Sequence, residues 1–170
     1  MSMLSIRTAT PGDRAAIHAV EERAFKQKDE ADLVDAIVAA GDAVLELVAV
    51  EEGVVVGHIL FSRLKVQAGG KSHNAVALAP LAVEPSFQHS GIGGALIREG
   101  HVRLKEAGET LSVVLGDPDY YGRFRYSHER AADFDSAYQC EELQALAWGD
   151  APSTGRLVYS AAFGPDEAAA

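Results

Sequence analysis

The beginning of the chain predicts a strand followed by a helix. Residues 4–10 (LSIRTAT) have the two-residue period of a strand. Thr10, Pro11 and Asp13 then fit a helix start, with Thr10 as the N-cap, Pro11 at the first helical position and Asp13 as the capping-box acid. We expect this first helix to run to about Phe25.

The next segment predicts one more helix and then a series of strands. In residues 30–41 the apolar residues share one helical face, and a glycine closes the segment. Residues 43–66 are predicted to form a two-stranded hairpin that turns at residues 51–53. A polar turn at residues 68–74 leads to a fourth strand at residues 75–83.

The second half of the chain predicts a helix, an apolar strand and a less regular end. A stretch with three glycines opens the third helix, which also stops at a glycine. Residues 110–117 predict an apolar strand that is covered on both faces, and a short helix is expected from Pro118. In the tail, residues 135–139 and 155–163 are predicted as strands, with a helical turn at residues 141–148 between them.

Together these elements predict a single domain, residues 1–170, of the α/β (α+β) class. Antiparallel hairpins come first, and one parallel βαβ crossover lies in the middle. We expect a mixed, mostly antiparallel sheet of about seven strands with about four helices on its faces. Residues 164–170 are expected to be a frayed end.

Composition narrows the classes of function. The chain has 170 residues, of which 48% are hydrophobic, so it can bury a core without disulfides. The formal charge of −10 argues against nucleic-acid binding and weakly favours cationic partners such as amines. No apolar run reaches the length of a membrane span, the first residues lack signal-peptide features, and Cys140 is the only cysteine. We therefore expect a cytoplasmic protein without membrane partners.

Three glycines at the start of the third helix indicate an anion site. Gly91, Gly93 and Gly94 remove Cβ atoms at a helix end whose N–H groups have no intrahelical partner. A P-loop is excluded because Ala95 and Leu96 stand where Lys and Ser or Thr are needed. A dinucleotide fingerprint fits poorly, because Leu96 replaces its third glycine and the unit comes late in the chain.

A third phosphate-binding pattern, Q/R-x-x-G-x-G/A, fits residues 88–93 (QHSGIG). With the preceding strand LAPLAV at residues 78–83 and the later segment LGDPDYYGRF at residues 115–124, the chain resembles the GNAT superfamily of N-acetyltransferases. Within it, the chain looks like a bacterial branch of predicted acetyltransferases of unknown substrate. The resemblance implies the GNAT fold, with a sheet splayed between strands 4 and 5, and acetyl-CoA as cosubstrate.

The resemblance also implies where coenzyme A binds. In the family, the glycine loop and the helix after it hold the pyrophosphate with backbone N–H groups, and the pantetheine arm lies in the opening between strands 4 and 5. Pro80 agrees with such an opening, because proline has no N–H for a strand ladder. The implied cofactor-binding residues are Leu81, Ala82, Val83, Gln88, His89, Ser90, Gly91, Ile92, Gly93, Gly94 and Phe124.

Acetyl transfer from a thioester to an amine needs a donor for the carbonyl oxygen and an acid for the leaving sulfur. The resemblance places the backbone N–H of Val83 in the first role. The family motif Tyr-x-x-φ-Gly-φ, in which φ is apolar or aromatic, places Tyr121 in the second role and makes Tyr120 its neighbour. A phenol with a pKa of about 10 can donate a proton to the thiolate of a thiol with a pKa of about 8.5.

Arg125 stands where the family motif has a glycine. That glycine usually ends the helix in the left-handed conformation, which costs a non-glycine residue roughly 1 kcal/mol or more. Either the turn differs here or Arg125 contacts a substrate or a phosphate. The general base is not identified. Glu84, Glu30 and Asp32 are candidates, and a water chain is the alternative.

Two functions follow from these observations. The first is an N-acetyltransferase that moves the acetyl group from acetyl-CoA to a primary amine of a small molecule or peptide, in a ternary complex without an acetyl-enzyme. The alternative is a non-catalytic coenzyme A-binding sensor or assembly module. The six histidines show no metal-ligand spacing, so no metal is expected. The oligomeric state stays open, with a homodimer as one option.

Overall fold

A computed structural model describes residues 3–164, and the chain divides into two compact units. The first unit comprises Met1–Phe61 and Pro80–Arg103, and the second comprises Ser62–Ala79 and Leu104–Ala170. The single domain expected from the sequence stays a prediction. The expected frayed end lies outside the described residues, apart from Gly164.

Eight strands and five α-helices occur in the described residues. The strands are β1 (Leu4–Thr8), β2 (Ala43–Glu51), β3 (Val54–Ala68), β4 (Lys71–Val83), β5 (Leu111–Leu115), β6 (Phe134–Asp135), β7 (Leu143–Ala147) and β8 (Gly155–Val158). The helices are α1 (Arg14–Phe25), α2 (Asp29–Ala39), α3 (Ile92–Glu106), α4 (Pro118–Tyr121) and α5 (His128–Ala131). Within residues 3–164, no helix combines the length and apolarity needed to cross a bilayer.

The first unit begins as the sequence predicts. Strands β1 and β2 pair antiparallel, with Leu4 opposite Glu51 and Thr8 opposite Leu47. The carboxylate of Asp13 accepts a hydrogen bond from the Thr10 backbone N–H at 2.7 Å, which confirms the predicted capping box. The turn that it closes is a short 3₁₀ segment that continues directly into α1.

Helix α3 lies very close to β3 in the first unit because two glycines leave room. A Cβ atom at Gly57 would come within 3.0 Å of Ile92, and one at Gly100 would come within 2.6 Å of the Phe61 ring. Contacts this short are not tolerated by close-packed side chains. The mid-helix Gly100, whose position disfavours a helix by about 1 kcal/mol relative to alanine, is therefore required by the Phe61 ring.

The second unit contains the parallel strand pair and its antiparallel neighbours. Strand β5 pairs antiparallel with β7, and β8 pairs antiparallel with β3 and parallel with β6. The parallel pairing of β4 with β5 joins Val76–Leu78 to Ser112–Val114. Strand β4 nevertheless continues to Val83, so the pairing ends well before the strand does. The expected mixed sheet with an opening between strands 4 and 5 is thus confirmed.

Several predictions for local structure differ from what is observed. The strand predicted at residues 135–139 is wrong beyond its first residue, because β6 covers only Phe134–Asp135, and the strand predicted at residues 155–163 ends at Val158. The helical turn predicted at residues 141–148 is wrong, because this segment contains β7. Leu143 and Ala145 of this strand lie in the core, and Gln144 donates a side-chain hydrogen bond to the Gly116 carbonyl at 3.0 Å. Pairing with β5 therefore overrides the helical preference of the Glu, Leu, Gln and Ala residues in this segment. The predicted polar turn at residues 68–74 is shorter than expected, since only Gly69 and Gly70 separate β3 from β4.

Candidate functional site

The glycine loop is held by its own side chains and has a left-handed backbone at two residues. The φ angles of His89 and Gly91 are 66° and 89°. The Gln88 side-chain amide donates to the Val83 carbonyl at 3.1 Å, and the Ser90 hydroxyl donates to the carbonyl of Phe87. These bonds tie the loop to the end of β4. The side chains of Gln88 and Ser90 therefore shape the loop, and their predicted contact with coenzyme A stays a prediction.

Gly91 opens directly onto free space at the start of α3. A Cβ atom placed on Gly91 would meet nothing within 4 Å, and only its positive φ disfavours other residues there. The Ala95 N–H donates to the Gly91 carbonyl at 3.0 Å, which marks the start of the helical hydrogen-bond pattern. N–H groups that precede the first such bond have no intrahelical acceptor, and the helix dipole favours an anion beside them. No acidic residue lies in the first turn of α3 to oppose that anion.

Ile92 differs from its neighbours in the loop because its side chain belongs to the core. It is 6% exposed, and it packs where Gly57 leaves room. Its predicted contact with the cofactor can therefore involve only the backbone. Leu81 and Val83 of β4 are half-buried, whereas Ala82 between them is buried. This alternation gives Leu81 and Val83 the surface that a ligand contact needs.

Tyr121 is positioned by a glycine at the end of β5. A Cβ atom at Gly116 would come within 2.5 Å of the Tyr121 ring, so the ring lies directly against that backbone. The ring also makes edge-on contacts with Tyr120 and Tyr126, at centroid distances of 5.0 and 6.0 Å. Burial raises the pKa of Tyr121 to about 12, with a smaller contribution from Tyr120. The phenol is therefore protonated throughout the neutral range.

Arg125 has the left-handed backbone that the sequence comparison with the family motif suggested. Its φ is 75°, its side chain is exposed, and its N–H donates to the Gly122 carbonyl at 3.2 Å. The turn is therefore preserved without its usual glycine. Directly after it, the buried Tyr126 shares a hydrogen bond of 2.8 Å with the Ser112 hydroxyl, which fixes the end of the aromatic segment. Burial raises the pKa of Tyr126.

Two of the carboxylates considered as general base are engaged by neighbouring side chains. Glu84 accepts a bidentate pair of hydrogen bonds from Arg23, at 2.8 Å from Nε and 2.7 Å from Nη2. Hydrogen bonding to Glu84 is the main cause that raises the pKa of Arg23. Glu30 accepts from the Gln27 side chain at 2.9 Å.

Asp32, the third carboxylate considered, lies in a group that the spacing along the sequence does not reveal. Ligand atoms of His18, Asp32 and Asp35 lie within 4.8 Å of one another. The His18 Nδ1 atom is 2.9 Å from the Asp35 carboxylate, so these two members of the group are hydrogen-bonded.

A buried charged cluster in the first unit escaped the sequence analysis. His58 is fully buried between two carboxylates, with Nδ1 2.6 Å from Glu21 and Nε2 2.8 Å from Glu46. Arg14 also binds Glu46. Burial lowers the pKa of His58, but the hydrogen bonds to Glu21 and Glu46 outweigh it and the pKa is raised overall. The available signal was a titratable residue inside the apolar segments that form β2 and β3.

A family model and a curated relative both identify an acetyltransferase domain. Residues 5–128 match the family model described as an acetyltransferase (GNAT) domain. The uncharacterized N-acetyltransferase YhbS of Escherichia coli K12 is 39% identical over 131 residues, which is 76% of each chain.

Two solved structures are similar over nearly the whole chain. A GNAT family acetyltransferase from Brucella melitensis in complex with acetyl-CoA has 40% identity and a TM-score of 0.82, and the match covers 95% of this chain and 99% of that one. YhbS of Escherichia coli in complex with CoA has 31% identity and a TM-score of 0.86, over 94% of this chain and 91% of that one.

Proposed function

Because the chain belongs to the GNAT acetyltransferase family, we propose that it is an acetyl-CoA-dependent N-acetyltransferase. It transfers the acetyl group to a primary amine by direct attack in a ternary complex. The observation that carries the proposal is the glycine loop, residues 88–94, with its left-handed Gly91 open to solvent at the start of α3. The complexes of the two similar proteins with acetyl-CoA and with CoA support the same cosubstrate.

The pyrophosphate of coenzyme A binds the backbone N–H groups at the start of α3. Phosphate needs donors and positive potential, and a helix N-terminus offers both. Gly91, Gly93 and Gly94 keep the approach free of side-chain atoms. The hydrogen bonds of Gln88 and Ser90 to preceding carbonyls hold the loop in place before the ligand arrives, so the loop loses little conformational entropy on binding.

The acetyl oxygen accepts a hydrogen bond from the Val83 N–H as negative charge develops on it. Val83 lies on the part of β4 beyond its pairing with β5, which ends at Leu78. A strand edge without a partner strand presents backbone donors, and donors that are already aligned stabilise an oxyanion without reorganisation.

Tyr121 protonates the sulfur as it leaves. The amine nitrogen attacks the carbonyl carbon, the C–N bond forms, and the C–S bond breaks with its electron pair on sulfur. The Tyr121 hydroxyl then gives its proton to the thiolate and regains one from solvent. The pKa of about 12 makes the half-buried phenol a weak acid in water, but the same desolvation raises the pKa of a thiol beside it, so the two groups stay matched.

The acceptor must reach the carbonyl as a neutral amine. Glu84 is bound by Arg23 and Glu30 by Gln27, so the proton leaves through water rather than through either of these carboxylates. The net charge of −10 draws cationic amines to the protein, whether they belong to small molecules or to peptides.

A binding and turnover screen tests this function. Coenzyme A at about 100 times its dissociation constant should stabilise the fold by about 2.7 kcal/mol, measured by thermal unfolding. N-acetylated product should then appear with at least one member of a panel of amines, amino acids and peptides. Product should be followed by mass spectrometry, because the exposed Cys140 reacts with thiol reagents. Stabilisation without any turnover would support the non-catalytic alternative. The absence of both stabilisation and turnover would contradict both functions.

A further inference from the structure

An apolar pocket lies in the second unit where β4 and β5 stop pairing. Its volume is about 200 Å³. Three consecutive residues of each strand, 77–79 and 113–115, form one side, and Tyr138, Tyr159 and Phe163 form the other. All the lining residues are aliphatic or aromatic, and the two tyrosine hydroxyls are the only polar side-chain groups among them. The pocket therefore suits a hydrocarbon group rather than a charged one.

The aromatic side of this pocket is a connected set of rings. Tyr159 packs edge-on against Tyr138 at a centroid distance of 5.2 Å, and it packs in a tilted arrangement against Phe163 at 5.6 Å. The Tyr159 hydroxyl lies 3.4 Å from the Ser136 hydroxyl, which gives it a polar partner outside the lining. Rings that support one another in this way keep a cavity open instead of collapsing into it.

The opposite side of the pocket owes its depth to small residues. Ala77 and Ala79 lie on the same face of β4, since side chains two residues apart point the same way. An apolar protein cavity of about 150 Å³ is large enough to hold benzene. The pocket of about 200 Å³ therefore has room for a chain of roughly six carbon atoms.

One residue that lines the pocket directly precedes the glycine that supports the proposed acid. Leu115 lines the pocket, and the following residue, Gly116, supports the ring of Tyr121. If Tyr121 protonates the sulfur of the thioester, the acyl carbon bonded to that sulfur lies near the pocket. An amine acceptor would gain little there, because no carboxylate among the lining residues offers its ammonium group a partner.

We propose that this pocket binds the hydrocarbon tail of acyl groups longer than acetyl, so that the enzyme also accepts medium-chain acyl-CoA donors. The inference rests on the proposed function, because it assumes a thioester beside Tyr121. The reaction is otherwise unchanged: the acyl C–S bond breaks, the C–N bond forms, and sulfur takes the proton.

The test is a series of affinities measured by calorimetry. Coenzyme A, acetyl-CoA, butyryl-CoA, hexanoyl-CoA and decanoyl-CoA are titrated into the wild-type protein. The dissociation constant should fall by about two- to fourfold for each added methylene up to hexanoyl, as burial of a methylene predicts, and should stop falling by decanoyl, when the pocket is full.

Two matched substitutions locate the effect. Ala79→Leu fills the pocket and should lower the ratio of the affinity for hexanoyl-CoA to that for acetyl-CoA at least tenfold. The affinities for coenzyme A and acetyl-CoA should stay within about twofold of the wild-type values. Ala132→Leu makes the same change at an exposed position of the second unit and should behave as the wild type. Should Ala79→Leu not fold, Phe163→Ala serves instead, because it enlarges the pocket and should move the best chain length beyond hexanoyl.

The outcomes separate this proposal from the one on which it rests. Equal affinities for acetyl-CoA and hexanoyl-CoA, with both binding well, would overturn the acyl pocket alone. If Ala79→Leu weakened the affinity for coenzyme A as much as the affinity for hexanoyl-CoA, the acyl pocket would also be overturned, because the pocket would then hold the pantetheine arm. A fall in the affinity for aromatic amines in this variant would assign the pocket to the acceptor instead. Failure of coenzyme A and acetyl-CoA to bind at all would refute the proposed function, and the acyl pocket with it.

Discussion

The ring of Tyr121 lies against the backbone of Gly116 so closely that a Cβ atom there would come within 2.5 Å of it. The glycine at the end of β5 therefore sets the position of the proposed acid. Sequence motifs that name the tyrosine do not reveal this, because the contact depends on how the turn after β5 brings the ring back onto the strand.

Gly116→Ala should lower turnover by displacing the Tyr121 ring. The added methyl group forces the ring aside, and overpacking of this kind typically costs about 1–3 kcal/mol of stability. Steady-state kinetics and urea unfolding measure the two effects. Gly122→Ala is the control, because a Cβ atom there meets nothing within 4 Å and the backbone is helical. It should leave turnover unchanged. Equal turnover in both variants would remove the positioning role of Gly116.

Tyr121→Phe should reduce the turnover number by about 10²–10⁴-fold, the usual value of general acid catalysis. The ring and its packing remain, so the Michaelis constant for acetyl-CoA should change little. The loss should shrink with an acyl donor whose thiol has a lower pKa, since that leaving group needs less help. Since burial raises the Tyr121 pKa to about 12, ionisation of this group should not limit the rate below about pH 10.

Tyr120→Phe is the matched control for that variant and should stay within a few-fold of wild-type turnover. Its ring packs on Tyr121 and Phe124, so it tests the aromatic cluster without the proposed acid. Equal losses in the two variants would indicate packing rather than acid catalysis. A loss confined to acetyl-CoA affinity would make Tyr121 a binding residue.

Gly91→Val should abolish the stabilisation by coenzyme A. The branched side chain would occupy the open space over the start of α3, and its left-handed φ would also strain the backbone by roughly 1–2 kcal/mol. Gly93→Val should have the same effect on binding. Thermal unfolding with and without coenzyme A measures both.

Gly41→Val separates backbone strain from loss of the site. Gly41 has a φ of 77° and open space around its missing Cβ atom, as Gly91 does, but it follows α2. This variant should lose similar stability and keep the full shift with coenzyme A. If the shift survives in Gly91→Val as well, the loop is not the phosphate site.

Arg125→Gly should raise the free energy of unfolding by a few tenths to about 1 kcal/mol, because glycine relieves the left-handed backbone at φ 75°. Activity should stay near wild type. Arg123→Gly in the same turn is the control and should destabilise the protein, since it loses the contact of the guanidinium with the Tyr120 ring. A large rise in the acceptor's Michaelis constant in Arg125→Gly would show that Arg125 contacts the substrate.

The buried His58 should make stability depend on pH. Its pKa is raised above 6.5 overall, so its contribution is complete below pH 6.5 and is lost as the pH rises through the folded-state pKa. Burial raises the pKa of Glu21, which acts in the same direction. The difference in unfolding free energy between wild type and His58→Gln should therefore narrow as the pH rises above about 6.5.

Glu46, in the same cluster, should make the unfolding free energy depend on pH in the opposite direction, and Glu46→Gln tests this. Burial raises the pKa of Glu46, but His58 and Arg14 outweigh it and the pKa is lowered overall. Its contribution is therefore present above pH 4.5 and is lost as the pH falls through the folded-state pKa. Urea unfolding across the pH range measures both variants. A difference for His58→Gln that instead narrows as the pH falls below about 6.5 would mean that the imidazole is neutral in the folded protein.

Local sequence was sufficient where the physical cause is local. Thr10 and Asp13 form the capping box because the two residues are only three positions apart. Gly91 was identified because closely spaced glycines at a helix start leave its N–H groups open to an anion, and the left-handed backbone at Arg125 followed from its place in a helix-ending motif. In each case neighbouring residues determine the conformation, so the sequence alone was enough.

Tertiary structure decided the features that depend on residues far apart in the chain. Residues 141–148 prefer a helix by composition, but β5 supplies a partner strand and the segment becomes β7. Glu21 and His58 are 37 positions apart, and only the packing of α1 on the strands buries them together. The apolar pocket likewise combines β4 and β5 with Tyr138, Tyr159 and Phe163, which come later in the chain. The pKa of His58, the apolar pocket and the pairing of β7 all depend on burial and on contacts between distant parts of the chain. No local pattern of residues encodes them.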